Sequence, residues 1–122
     1  MRPFLVAFGL VFGSVFGSVL AAMPARAETI SPADVKAHAG QTVTVEAAIS
    51  DVHTGRSGVT FIEVGGRYPD NDFTAVIFAG DAAKFPNAST LDGKIVVISG
   101  PVQLYQGRPE IILKTADQLK AK

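Results

Sequence analysis

The segment from Leu91 to Leu113 constrains the fold of this chain more than any other, because it is a hairpin whose long first strand contains a Gly-Pro step. Gly100 and Pro101 break this strand, and beyond them the apolar residues Val102 and Leu104 alternate with polar ones, so the strand continues with a change of direction. Gly and Pro inside a strand mark a bend or a bulge. A strand bent in this way allows one sheet to curve over and close on itself. The sequence therefore predicts a small closed β-barrel.

Alternation of apolar and polar residues predicts five strands in all. In the fourth strand, Val102 and Leu104 are expected to face the interior. Phe73, Phe78 and Phe85 are expected to pack in the core. The predicted strands cover residues 42–52, 59–64, 73–78, 94–105 and 109–114.

Short helices complete the pattern. A Ser-Pro pair and a later Gly mark residues 31–40 as a short helix with a Ser cap. One or two helical turns are predicted at residues 80–86, where a proline stops them, and a final turn is predicted in the tail at 116–122. The predicted order is three strands, a helix and two strands. This is the order of the five-stranded Greek-key barrel called the oligonucleotide/oligosaccharide-binding (OB) fold, so an all-β OB barrel is expected. Six-stranded SH3-like and split barrels are the alternatives, and they explain the helix after the third strand less well.

Residues 1–27 have the features of a secretory signal peptide. An apolar run extends from Phe4 to Met23, and Ala25 and Ala27 form an Ala-x-Ala site, which predicts cleavage after Ala27. We therefore expect residues 28–122 to be a single periplasmic or secreted OB-fold domain with no stable membrane insertion after cleavage. The apolar run is also long enough to span a bilayer, so a retained anchor is the alternative.

The expected exported domain is slightly acidic and contains no cysteine. Eleven acidic residues stand against nine basic ones once Arg2 and Arg26 are removed with the signal peptide. Nucleic-acid binders usually carry a basic face, so this balance argues against tight binding to phosphates but leaves room for a local basic patch. The lack of cysteine excludes disulfides, lipid attachment and thiolate metal sites.

No arrangement of residues in the sequence indicates catalysis or a metal centre. The acidic run at 70–72 is typical of a turn, and the two histidines, His38 and His53, belong to different elements, which disfavours a metal pair. We therefore expect a protein that is not an enzyme and takes no cofactor. A hydrolase site is the alternative, and it would require three carboxylates to converge on one pocket: Asp51, Glu63 and Asp70.

Ligand-binding residues are expected on the face formed by the second and third strands and in the loops that frame it, as in other OB barrels. Exposed aromatic rings beside guanidinium groups can stack on bases or sugars and neutralise phosphates. The candidate binding residues are Arg56, Phe61, Arg67, Tyr68, Tyr105 and Arg108. As an alternative, Arg67 and Arg108 form surface ion pairs with nearby carboxylates.

Five segments carry a resemblance that covers almost all of residues 28–122: GQTVTVE at 40–46, TFIEVGGRYP at 60–69, FTAVIF at 73–78, GKIVVISG at 93–100 and YQGRPEI at 105–111. They resemble the small OB-fold nucleic-acid-binding domains of bacteria, which include the tRNA-anticodon-binding type and exported versions. The resemblance implies binding of single-stranded DNA or RNA through Phe61, Tyr68, Tyr105 and Arg108. An adaptor for an envelope protein or a glycan, with no affinity for nucleic acid, is the alternative function.

Overall fold

Five strands form a closed barrel and two short strands flank it in residues 28–122, the part of the chain that this computed structural model describes. The predicted signal peptide lies outside the described residues. No helix within residues 28–122 is long and apolar enough to cross a bilayer. The strands are β1 (Glu28–Ile30), β2 (Thr42–Thr54), β3 (Thr60–Val64), β4 (Phe73–Ile77), β5 (Ile95–Tyr105), β6 (Arg108–Ile112) and β7 (Leu119–Ala121).

The two long strands close the barrel because each changes partner along its length. In β2, residues 42–48 pair with β5 and residues 49–54 pair with β3. In β5, residues 95–101 pair with β2 and residues 102–105 pair with β6, so the change falls directly after the Gly100-Pro101 step. The antiparallel pair β3 and β4 and the parallel pair β4 and β6 complete the circle. The all-β OB barrel expected from the sequence is confirmed.

Two short strands that the alternation does not predict lie on either side of this barrel. The β1 strand runs parallel to β2, from Glu28 opposite Val43 to Ile30 opposite Val45. The β7 strand runs antiparallel to β5, where the sequence predicts a final helical turn. Only Ala116–Gln118 are helical in the tail, because residues 119–121 form hydrogen bonds with the edge of β5.

All four helical segments in residues 28–122 are short 3-10 helices: Pro32–His38, Ala79–Lys84, Ala88–Leu91 and Ala116–Gln118. In the first, Val35 is fully buried and closes one end of the barrel. The expected Ser cap is wrong, because the Ser31 hydroxyl donates to the Asp34 carboxylate and caps no backbone N–H group.

The core confirms Phe73, Phe85 and Val102 as interior residues and corrects two expectations. Phe78 is 47% exposed, because β4 ends one residue earlier and the chain turns outward into a 3-10 helix. Leu104 is 48% exposed. It pairs with Pro109 near the tip of the β5–β6 hairpin, beyond the part of β6 that also pairs with β4, so no second layer covers it.

Candidate functional site

A cleft of about 250 Å³ lies on the outer face of the barrel, across β3, β4 and β6 and beside the tip of the β5–β6 hairpin. Four of the six candidate binding residues line it, and they are the four that the resemblance implies: Phe61, Tyr68, Tyr105 and Arg108. Arg56, in the turn after β2, and Arg67, in the loop after β3, are exposed and do not line this cleft.

The hairpin tip places Tyr105 and Arg108 directly opposite each other. The two residues between them, Gln106 and Gly107, have φ values of 54° and 79°. Two successive residues with positive φ form the tight turn that matches the twist of a β-hairpin, and glycine adopts this conformation without strain. The two side chains are therefore fixed next to each other at the mouth of the cleft.

Arg108 connects the hairpin tip to the loop that joins β3 and β4. Its Cζ lies 4.8 Å from the centroid of the Tyr68 ring, and its Nη1 donates to the carbonyl oxygen of Pro69 over 2.8 Å. None of the ion pairs found in residues 28–122 includes an arginine, so the alternative of surface ion pairs for Arg67 and Arg108 finds no support. The guanidinium group therefore lies at the mouth of the cleft against the Tyr68 ring. Tyr68 as a whole is 60% exposed.

The opposite end of the cleft is formed by the cross-strand pair His53 and Phe61. Their rings stack with centroids 5.2 Å apart and an angle of 29° between the planes. His53 Nδ1 donates to Asp51 Oδ2 over 3.0 Å, which fixes the orientation of the imidazole. Phe61 is half-buried, so one part of its ring supports the sheet while another part faces the cleft.

The floor of the cleft is polar, and its centre is Glu63. Although Glu63 points away from the core, it is only 2% exposed, because the loop after β3 folds back over it. Its Oε1 accepts hydrogen bonds from Thr74 Oγ1 at 2.6 Å and from Asn71 Nδ2 at 2.8 Å. These two donors satisfy a carboxylate that burial would otherwise destabilise.

A second carboxylate, Glu110, lies beside this group, since it is paired with Thr74 across the parallel strands β4 and β6. Burial raises the pKa of the Glu110 carboxyl above its ordinary value of 4.5. A hydrogen bond with Gln103 opposes this shift, and the nearby charge of Glu63 adds to it. The cleft therefore combines an aromatic rim with an acidic floor.

Sequence analysis missed the acidic floor, because its members come from three strands that are far apart in the sequence. Glu63, Thr74 and Glu110 form one cross-strand row, and only the register of β3, β4 and β6 brings them together. The three carboxylates required for a hydrolase site do not meet in the cleft, since Glu63 lines it and Asp51 and Asp70 do not. Within residues 28–122, no group of three histidine or acidic side chains is close enough to hold a metal ion.

Comparison with known proteins agrees with this fold. No protein-family model matches the sequence, and a search of curated proteins found no match. Among solved structures, an OBody bound to hen egg-white lysozyme is 19% identical and covers 80% of this chain and 95% of its own, with a TM-score of 0.61.

Two natural proteins are similar over part of their length. Asparaginyl-tRNA synthetase from Pyrococcus horikoshii is 16% identical, with a TM-score of 0.58 over 79% of this chain but only 23% of the synthetase. The S. pombe Stn1-Ten1 complex is 12% identical, with a TM-score of 0.52 over 66% of this chain and 57% of that chain. At these identities the similarity establishes a shared OB fold.

Proposed function

We propose that this protein is a non-enzymatic OB-fold binding module, exported to the periplasm or secreted, that binds single-stranded nucleic acid in the cleft. The observation that carries the proposal is the convergence of Phe61, Tyr68 and Tyr105 with Arg108 on one open cleft of the sheet. An exposed aromatic ring can stack on any of the bases, and such stacking stabilises a complex by about 1–3 kcal/mol per base. The similarity to a tRNA synthetase structure supports the same class of ligand.

Stacking contributes more to this binding than contact with phosphates. Arg108 is the one permanently charged cation among the described residues that line the cleft, and Glu63 and Glu110 face it from the floor. Each phosphate neutralised on a single strand contributes about −0.7 to the slope of log K against log salt. We therefore expect binding with a shallow salt dependence.

Fluorescence anisotropy with a labelled single-stranded oligonucleotide, at low and at high salt, tests the proposal. We expect Tyr105→Ala to weaken binding about 5- to 100-fold, which corresponds to the loss of one stacked base. The matched control is Phe78→Ala, which removes an exposed aromatic ring outside the cleft. An unchanged anisotropy at high micromolar wild-type protein in low salt would overturn the proposal.

An adaptor for an envelope protein or a glycan is the second candidate, and the acidic floor favours it. Glu63 and Glu110 repel phosphates, whereas they accept hydrogen bonds from sugar hydroxyls or peptide N–H groups. Exposed tyrosine and arginine side chains are also frequent at protein interfaces. Salt-insensitive binding of a neutral oligosaccharide, lost in Tyr105→Ala, would support a glycan ligand and contradict the nucleic-acid proposal.

Export is tested separately from binding. We expect the protein to appear in the periplasmic or culture fraction with Glu28 as its first residue, as determined by intact mass. The full-length mass in the membrane fraction would instead show that the apolar run is retained as an anchor.

A further inference from the structure

A second cleft of about 280 Å³ lies on the other side of the hairpin tip. It shares two residues, Arg108 and Thr74, with the cleft lined by Phe61, Tyr68 and Tyr105, called the aromatic cleft below, so the two clefts are adjacent. Its remaining polar side chains are Lys36, Asn71 and Asp72. Among the described residues, Phe73, which is buried, is the one aromatic residue that lines it. The two clefts therefore differ in chemistry although they are neighbours.

Lys36 is held at this position by the fold. It belongs to the 3-10 helix Pro32–His38, and its neighbour Val35 is fully buried at the end of the barrel. The anchored Val35 places the backbone of Lys36 at the rim, while the lysine side chain itself is exposed. A lysine whose backbone is fixed in this way loses less backbone freedom on binding a ligand than one on a flexible loop.

The charges of the two clefts have opposite signs. The second cleft is lined by two basic residues, Lys36 and Arg108, and one acidic residue, Asp72. The aromatic cleft has the opposite balance, with one arginine, Arg108, and two acidic residues, Glu63 and Glu110. Since like charges repel, the phosphodiester of a single strand avoids the acidic floor and lies where the cations are in excess.

We propose that the second cleft is a phosphate-binding subsite, in which Lys36 and Arg108 hold the phosphodiester next to the base that stacks in the aromatic cleft. This inference rests on the proposed function. It gives the ligand a direction across the barrel, with a base between Phe61 and Tyr105 and its phosphate beyond Arg108. A guanidinium group binds phosphate by paired hydrogen bonds, and an ammonium group binds it as a point charge.

The test measures the affinity of Lys36→Gln for a labelled single-stranded oligonucleotide at several salt concentrations. We expect the slope of log K against log salt to decrease in magnitude by about 0.7, which is the contribution of one phosphate. The matched control is Lys94→Gln, since Lys94 is also exposed and lines neither cleft. A circular dichroism melt checks that both variants remain folded.

Three outcomes separate this inference from the proposed function. Wild-type slope and affinity in Lys36→Gln, with the oligonucleotide still bound, overturn the phosphate subsite alone. A reduced slope in Lys36→Gln together with unchanged affinity in Tyr105→Ala supports the phosphate subsite and overturns stacking on Tyr105. No binding by the wild-type protein overturns both. As a second measurement, a neutral methylphosphonate at the contacted linkage should weaken the wild-type complex more than the Lys36→Gln complex, in which only Arg108 still contacts the phosphate.

Discussion

Replacing Gly100 with alanine tests how the long strand turns the corner of the barrel. Gly100 has a φ of +154°, a conformation that residues with a side chain rarely adopt. An added Cβ would lie 2.7 Å from Gln118 Nε2 and 2.9 Å from Ile111 Cγ2. Ile111 is fully buried and has no space into which it can withdraw. Gln118 is held because its Nε2 donates to the carbonyl oxygens of Ser99 and Ile112.

The expected cost is the sum of three effects. Backbone strain accounts for about 1–3 kcal/mol, overpacking against Ile111 for about 1–3 kcal/mol, and each weakened hydrogen bond of Gln118 for about 1 kcal/mol. We therefore expect Gly100→Ala to lower the free energy of unfolding by about 4–8 kcal/mol, measured by urea unfolding with circular dichroism. In a domain of this size that lowers Tm by more than about 16 °C.

The control for this experiment is Gly93→Ala. Gly93 also has a positive φ, +80°, but no atom lies within 4 Å of the Cβ that alanine would add. This variant therefore carries the backbone strain without the contacts, and we expect it to lose only about 1–2 kcal/mol. Equal losses of stability in Gly100→Ala and Gly93→Ala would refute the argument that close packing at the corner excludes a side chain.

Two further predictions concern the acidic floor of the cleft. Asn71→Ala removes a hydrogen-bond donor from the buried Glu63 carboxylate. We therefore expect the free energy of unfolding in urea to fall by about 1.5–3 kcal/mol. A decrease below about 0.5 kcal/mol would contradict the role of Asn71. Glu110→Gln tests the raised pKa of Glu110: the folded protein holds this proton more tightly than the unfolded chain, so wild-type stability falls as pH rises from 4.5 through the raised pKa. Glutamine does not titrate, so the Tm of Glu110→Gln minus the Tm of wild type should be larger at pH 7 than at pH 4. A Tm difference that does not change with pH would contradict the raised pKa of Glu110.

The sequence predicts the barrel because its five strands carry their own signal. Apolar and polar residues alternate along the first half of β2 in step with their burial. In β5 the signal is a run of β-branched residues followed by the Gly-Pro step. The strands β1 and β7 carry no such signal, since three residues are too few to show a period. They form strands because the edges of β2 and β5 offer unpaired backbone groups, which is a property of the assembled sheet.

The two parts of the candidate site also differ in how far the sequence can predict them. Tyr105 and Arg108 are predictable as neighbours, because the two-residue turn between them fixes their pairing locally. The row of Glu63, Thr74 and Glu110 depends on how β3, β4 and β6 align, and one of these pairings is parallel with a long connection. A shift of one residue in any strand would turn its member of this row into the core, so alternation within a single strand cannot identify the row.

The corner at Gly100 determines the site as well as the fold. Directly after Pro101, β5 leaves β2 and begins to pair with β6, and that change sets Gln103 opposite Glu110 and Tyr105 opposite Arg108. Since successive side chains of a strand point to opposite faces, the position of the corner decides that Val102 enters the core while Tyr105 reaches the cleft. The hairpin that closes the barrel therefore also places one aromatic ring and the guanidinium group that both clefts share, so packing at the corner and the position of Tyr105 at the cleft constrain the same eleven-residue strand.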